Sequence, residues 1–195
     1  MPLLRGSLIQ RYTNKWYNNY WILYGSNLAA PRDASIFTAA EKIVVRQTGD
    51  TLIATLISKN IICRKNLHII LNNGQYDLRY LLTLINSKLM NYVYEFLNPE
   101  RGEALAEVKK AHVEMLPVPL LDLSDKKAKK VHDRLAELAN QMFTAHEKLR
   151  VSVADRRVHE QRIRILEEEI NEHVYHLYGL TDKEIAVIEG DRNVK

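Results

Sequence analysis

Arg46-Gln47-Thr48 holds side chains whose donors, acceptors and methyl group match the edges of DNA bases. An Arg fork pairs bidentately with guanine, a Gln amide pairs with adenine, and a Thr methyl meets the methyl of thymine. The other reading of the arginine is structural, a guanidinium that holds the following turn by bonding its carbonyls. Glu107-Val108-Lys109 offers the Glu-x-Lys half of a metal-dependent nuclease, with Asp50 or Asp77 as the upstream carboxylate. Read more simply, Lys109 and Lys110 are surface or phosphate-contacting lysines. His132 with His146, and His173 with His176, have spacings that two metal ligands can share. Neither pair is accompanied by the carboxylates or cysteines that would complete a site.

Six aromatic residues crowd into one stretch: Tyr12, Trp16, Tyr17, Tyr20, Trp21 and Tyr24. Such rings stack on bases in proteins that bind single strands. Their size favours a core between sheet and helix, with one or two left exposed. The sequence has no Gly-rich phosphate loop, no paired-histidine zinc motif and no Asn-Pro-Pro-aromatic signature of an amino-methyltransferase.

The formal charge is +4, but it is unevenly spread. Residues 1–75 hold nine basic side chains (Arg5, Arg11, Lys15, Arg32, Lys42, Arg46, Lys59, Arg64, Lys65) against three acids, Asp33, Glu41 and Asp50. The rest of the chain is balanced or slightly acidic, so any attraction for a polyanion belongs to the N-terminal part. With 46% hydrophobic and 27% charged residues among 195, the chain has a globular profile and room for at most two units. A single cysteine, Cys63, excludes an internal disulfide framework and fits a reducing cytoplasm. No apolar run is long enough to cross a bilayer, and no membrane partner is expected.

The elements that position these residues change character along the chain. From Ser7 to about Asn72, short alternating or β-branched runs predict strands at Leu8–Tyr12, Tyr20–Tyr24, Lys42–Arg46, Leu52–Leu56, Ile61–Arg64 and Leu67–Leu71. Gln47-Thr48-Gly49-Asp50 supplies a turn between two of them. From Tyr76 the period becomes helical, through Leu78, Leu82, Ile85, Leu89, Val93 and Phe96, as one helix or as two broken near Asn86-Ser87. Pro117 and Pro119 then argue against continuous helix over 99–123. Beyond Ser124, a heptad stripe (Val131, Leu135, Leu138, Met142, Ala145, Leu149) is followed by a second (Val158, Ile163, Leu166, Ile170, Val174, Leu177). Gly179 ends the second run, and Thr181 with Glu184 forms a capping box for a short final helix. The two long helices must fold back near Val151–Ala154, since each stripe otherwise faces water. The expected class is α+β, a small twisted, largely antiparallel sheet with packed helices over 1–123. A long antiparallel helical hairpin with a short terminal helix follows over 124–195.

Several of these blocks, in order, resemble the TaqI-like C-terminal specificity domain of adenine-specific DNA methyltransferases and type IIG restriction-modification enzymes. They are Glu41-Lys42-Ile43-Val44-Val45-Arg46-Gln47-Thr48-Gly49-Asp50, Leu67-His68-Ile69-Ile70, the stretch Tyr80 to Leu89, and Val108-Lys109-Lys110 with Leu116-Pro117-Val118-Pro119. Pro2-Leu3-Leu4-Arg5-Gly6 with Ile9-Gln10-Arg11-Tyr12 resembles the segment entering that domain from a catalytic half, which favours a fragment over a separate subunit. Val174 to Thr181 resembles the end of the helical region in such enzymes and in type I specificity subunits.

The resemblance implies a target-recognition domain for double-stranded DNA, while a separate methyltransferase or endonuclease domain performs the chemistry. S-adenosylmethionine and Mg²⁺ would belong to that other part, and none is expected on this chain. Arg11, Lys15, Arg46, Gln47, Thr48, Arg64, Lys65, Lys109 and Lys110 are the expected DNA-contacting residues. The hairpin is expected to act as a spacer, as a docking surface for the catalytic domain, or as the interface of a homodimer. A metal-dependent nuclease using Glu107 and Lys109, and a structural assembly adaptor, are the alternatives.

Overall fold

A computed structural model describes residues 1–152 and 154–190. The chain runs through β1 (Leu3–Leu4), β2 (Ile9–Gln10), β3 (Thr13–Asn14), α1 (Ser35–Thr38), β4 (Glu41–Arg46), β5 (Ala54–Ser58), β6 (Ile62–Cys63) and β7 (Leu67–Leu71). It continues as α2 (Leu78–Asn86), α3 (Lys88–Leu97), α4 (Lys110–Glu114), α5 (Lys126–Val151), α6 (Arg156–Leu177) and α7 (Asp182–Ile188). The class is α+β.

β4 is the middle strand of an antiparallel sheet in the order β5-β4-β7. Its run Ile43-Val44-Val45 is fully buried. Successive side chains of a strand point to opposite faces, so an unbroken apolar run requires cover on both sides. Ile43 and Val45 enter a core made with the helices, whereas Val44 enters a second core with Leu4, Ile9, Phe37 and Ile62 from the N-terminal segment. Lys42 lies two residues before Val44 and is also fully buried. Its ammonium donates to the carbonyls of Phe37 at 3.2 Å and Ser58 at 3.0 Å, and burial lowers its pKa.

The strands at β4 and β7 lie where the alternation predicts them. At Tyr20–Tyr24 the only strand-like feature is an isolated bridge from Trp21 to Pro2, and Leu8–Tyr12 shrinks to the two residues of β2. These stretches are held by tertiary contacts instead of a continuous ladder. Tyr12 is buried, but Tyr17 and Trp21 are 57% and 59% exposed. Trp16 packs edge-on against Trp21 and Tyr24 against the buried Phe37, so two of the six rings are exposed, as expected, but Trp16 and Tyr24 join the second core and not the one between sheet and helices.

Ser87 divides the helical run after Tyr76 into two. Its hydroxyl donates to Leu84 O at 2.7 Å, closing α2, and accepts from Met90 N at 3.1 Å, capping α3. Phe96, expected on the packed face, is 75% exposed. Asp125, one residue after the expected start signal, caps α5 by accepting from Ala128 N at 2.8 Å. Leu135, Leu138, Met142 and Ala145 of α5, and Leu166, Ile170 and Val174 of α6, are buried in the same cluster as Ile43, Val45 and Leu82. Each fully buried Leu or Val contributes roughly 1.5–3 kcal/mol. Val158, assigned to the second stripe, is 66% exposed. Of the turn expected at Val151–Ala154, residue 153 lies outside the described residues, as do 191–195 at the end of the helical region.

Gly179, at φ +65°, closes α6, with Leu180 N donating to Tyr175 O, and the Thr181–Glu184 capping box opens α7. The Pro117–Pro119 segment is anchored by hydroxyls: Tyr178 donates to Pro117 O, and the Tyr76 hydroxyl accepts from Leu121 N at 2.8 Å. Among the described residues no helix is long and apolar enough to cross a membrane.

Candidate nucleic-acid interface

β4 ends at Arg46, and the chain then makes a turn that returns through Ile53, whose carbonyl accepts from Arg46 N at 2.9 Å. Gly49 within it has φ +111°, a conformation that favours glycine. A Cβ there would lie 3.2 Å from Nη2 of Arg46, so the arginine passes close over the turn. The turn, the β6–β7 turn at Asn66, and the loop at Gly102–Ala106 surround an open cleft of about 480 Å³. Arg46 lines this cleft, and its Nε is buried without a hydrogen-bond partner among the described residues. The guanidinium bonds no carbonyl of the turn, so the turn is held without it. The same cleft is lined by Asp50 and Glu103, which gives it donors and acceptors together.

The cations of residues 1–75 are put to different uses. Arg5 lies over the Tyr20 ring at 3.7 Å, Arg32 donates to the carbonyls of Lys65 and Leu67, and Lys42 is in the core. These three are used to hold the fold. Arg64 and Lys65 are exposed in the turn immediately before the cleft residue Asn66. Arg11 is half-buried and reaches the Leu52 carbonyl through Nε at 3.4 Å, while Lys15 is exposed. Arg11 and Lys15 line two other clefts, so the expected residues do not form one continuous patch.

Thr48 lines the cleft together with Arg46, whereas Gln47 is not among its lining residues. Thr48 forms an antiparallel bridge with Glu107, and the Gln47 amide donates to the Glu107 carboxylate at 2.9 Å. Lys109 is paired with Glu100 and holds that carboxyl below its ordinary range. Lys110 opens α4 and pairs with Glu114 at 3.2 Å, leaving it largely exposed. The partners of a Glu-x-Lys centre are thus committed elsewhere: Glu107 to Gln47 and Lys109 to Glu100. Asp77 caps α2, accepting from Arg79 N at 2.7 Å, and Asp50 accepts from Gly102 N at 3.3 Å. Among the described residues no group of three or more His, Cys, Asp or Glu has metal-holding geometry.

The family model of the TaqI-like C-terminal specificity domain matches residues 1–118. The chain belongs to this family. The match includes β1 to β7, α2 to α4 and the whole Arg46 cleft. Among solved structures, the chain is similar to a type IIL restriction-modification enzyme, MmeI, solved in complex with DNA, at 14% identity and a TM-score of 0.56. That likeness covers 76% of this chain and 20% of the enzyme's chain, so the shared fold continues past residue 118 into the helical region, and the chain spans about a fifth of that enzyme. No curated protein matches the sequence.

Sequence reasoning missed Asn66, which joins the two turns of the cleft. Its backbone carbonyl accepts from Gln47 N at 3.1 Å, and its side chain accepts from Gly6 N at 3.3 Å. A Cβ on Gly6 would come within 3.1 Å of Asn66, so the glycine permits this close approach. Asn66 in a polar turn next to Arg64-Lys65 was the available signal, although nothing in the sequence ties it to Gly6.

Proposed function

We propose that this chain is the sequence-reading module for double-stranded DNA in a restriction-modification enzyme, without a catalytic step of its own. The observation that carries the reading is Arg46, an unpartnered guanidinium at the end of a doubly covered strand, in a cleft that the family match contains. Base edges present donors and acceptors side by side, whereas phosphates present acceptors alone. A cleft lined by Arg46 with Asp50 and Glu103 suits the former: the arginine addresses guanine and a carboxylate accepts from the cytosine amino group. Arg64 and Lys65, exposed beside it, supply phosphate contacts that set register. The DNA in the MmeI structure is in keeping with this reading.

The methyltransferase or endonuclease domain of the parent enzyme is the partner that carries the chemistry. S-adenosylmethionine and Mg²⁺ are assigned to it, and the target adenine is flipped there. The exposed outer faces of α5 and α6 are its docking surface, or that of a second copy. Titration of a fluorescent duplex library with the full chain over a range of salt tests the proposal. A steep linear fall of log affinity with log salt and enrichment of one sequence are expected. Failure to bind any duplex at low salt overturns it.

A further inference from the structure

A second cleft, of about 380 Å³, opens where the segment after β3 meets the tip of the helical hairpin. Lys15 and Tyr17 line one side, while Arg150 and Arg156, from the end of α5 and the start of α6, line the other. Gln10, Thr13 and Asn14 are uncharged donors and acceptors, His146 lines the cleft beside them, and among the described residues no carboxylate does. This differs from the Arg46 cleft, where two carboxylates are present. Arg150 and Arg156 are 47% and 69% exposed, and among the described residues each is paired with a carboxylate of its own helix, Glu147 at 2.6 Å and Glu160 at 2.9 Å. Exposed pairs of this kind are weak and exchange readily for a better anion. Guanidinium forks match the oxygens of a phosphate, and a lysine ammonium adds a point charge.

The two clefts are close along the chain. Ser7 lines the first and Gln10 the second, and three residues of extended backbone span at most about 11 Å. The major groove of B-DNA is about 12 Å wide, with a phosphate backbone on each side of the base edges. The lips of the two clefts at Ser7 and Gln10 are thus no farther apart than the groove is wide.

We infer that the cleft formed by Lys15, Arg150 and Arg156 binds the phosphodiester backbone of duplex DNA, so that the hairpin tip is part of the DNA-contacting surface in addition to being a spacer. The inference rests on the DNA-reading function proposed above. The test measures the affinity of the full chain for a 30-base-pair duplex of mixed sequence as a function of salt, for the wild type, R150Q/R156Q and R150K/R156K. Each lost phosphate contact lowers the slope of log affinity against log salt by about 0.9, so the glutamine pair should reduce it by about two and the lysine pair should retain it. At 0.1 M salt the glutamine pair should bind on the order of tenfold more weakly per lost contact. Both side chains are exposed, so an unchanged circular dichroism spectrum is expected. Should that pair impair folding, K15Q alone supplies the test, with an expected fall of about one. A wild-type slope retained by the glutamine pair overturns the inference while leaving the DNA-reading function standing, and leaves an acidic protein segment as the occupant. A wild-type chain that binds no duplex overturns both.

Discussion

The side-chain amide of Asn86 pairs with the backbone of Ala54 in both directions: Oδ1 accepts from Ala54 N at 3.0 Å and Nδ2 donates to Ala54 O at 3.0 Å. The amide takes the place of a further strand at the outer edge of β5, and it is buried. It thereby joins the end of α2 to the sheet. Replacing it with leucine leaves the Ala54 N–H without this partner in a place water does not reach. N86L should lose about 1–3 kcal/mol of stability, the cost of one stranded buried group, since the Ala54 carbonyl still accepts from Tyr12 N. Urea unfolding of the two proteins measures it, and a change below about 0.5 kcal/mol would show that the pairing contributes little.

Arg46 and the Arg64-Lys65 turn should separate by the kind of affinity they support. R46Q should cost about 1–3 kcal/mol on the preferred duplex and little on random sequence, because a base contact is lost. R64Q/K65Q should weaken binding to all duplexes and reduce the salt slope by about two. Competition binding with preferred and random duplexes at two salt concentrations distinguishes them. The reverse pattern would assign Arg46 to the backbone.

Gly49 should connect stability to the DNA binding proposed for Arg46. Alanine at φ +111° is strained, and its Cβ would lie 3.2 Å from the Arg46 guanidinium. G49A should therefore destabilise the chain by about 1 kcal/mol or more and also weaken the preferred duplex through displacement of Arg46. Thermal melting and duplex titration on the same preparation provide both readings.

His146 makes stability depend on pH. Burial holds its pKa below the ordinary value of 6.5, and the cleft it lines contains Lys15, Tyr17, Arg150 and Arg156. Because the folded state binds this proton less readily than the unfolded state, its contribution to stability is present above about pH 6.5 and is lost as pH falls through the lowered folded value. The urea midpoint should drop between pH 7.5 and pH 5, and the drop should be smaller in H146Q. Equal drops in the two proteins would remove His146 from this role.

What the sequence discloses follows from how local each cause is. β7 and the capping box at Thr181–Glu184 rest on nearby residues and appear where the pattern places them. The heptad stripes locate α5 and α6 for the same reason, although Val158 lies outside the buried face. β1 and β3 have two residues each and leave too short an alternation to read, and of the alternation at Leu8–Tyr12 only the two residues of β2 pair. Lys42, Arg32 and Arg5 count as surface cations in any composition, yet they are held by carbonyls or by a ring distant in sequence or brought close only by folding. The Arg46 cleft was half legible. Its strand and turn are local, but Asn66 and the Gly102 loop reach it through the fold.

The stretch that bears the family signature stops at residue 118, but the core does not stop with it. Tyr76 and Tyr80 pack their rings around His132, and Arg79 reaches Asn140, so α2 leans on a helix from outside that stretch. A transplant cut at residue 118 would carry the loops of the Arg46 cleft away from the wall that braces them. The unit that folds as one core is therefore longer than the signature by which the family is recognised.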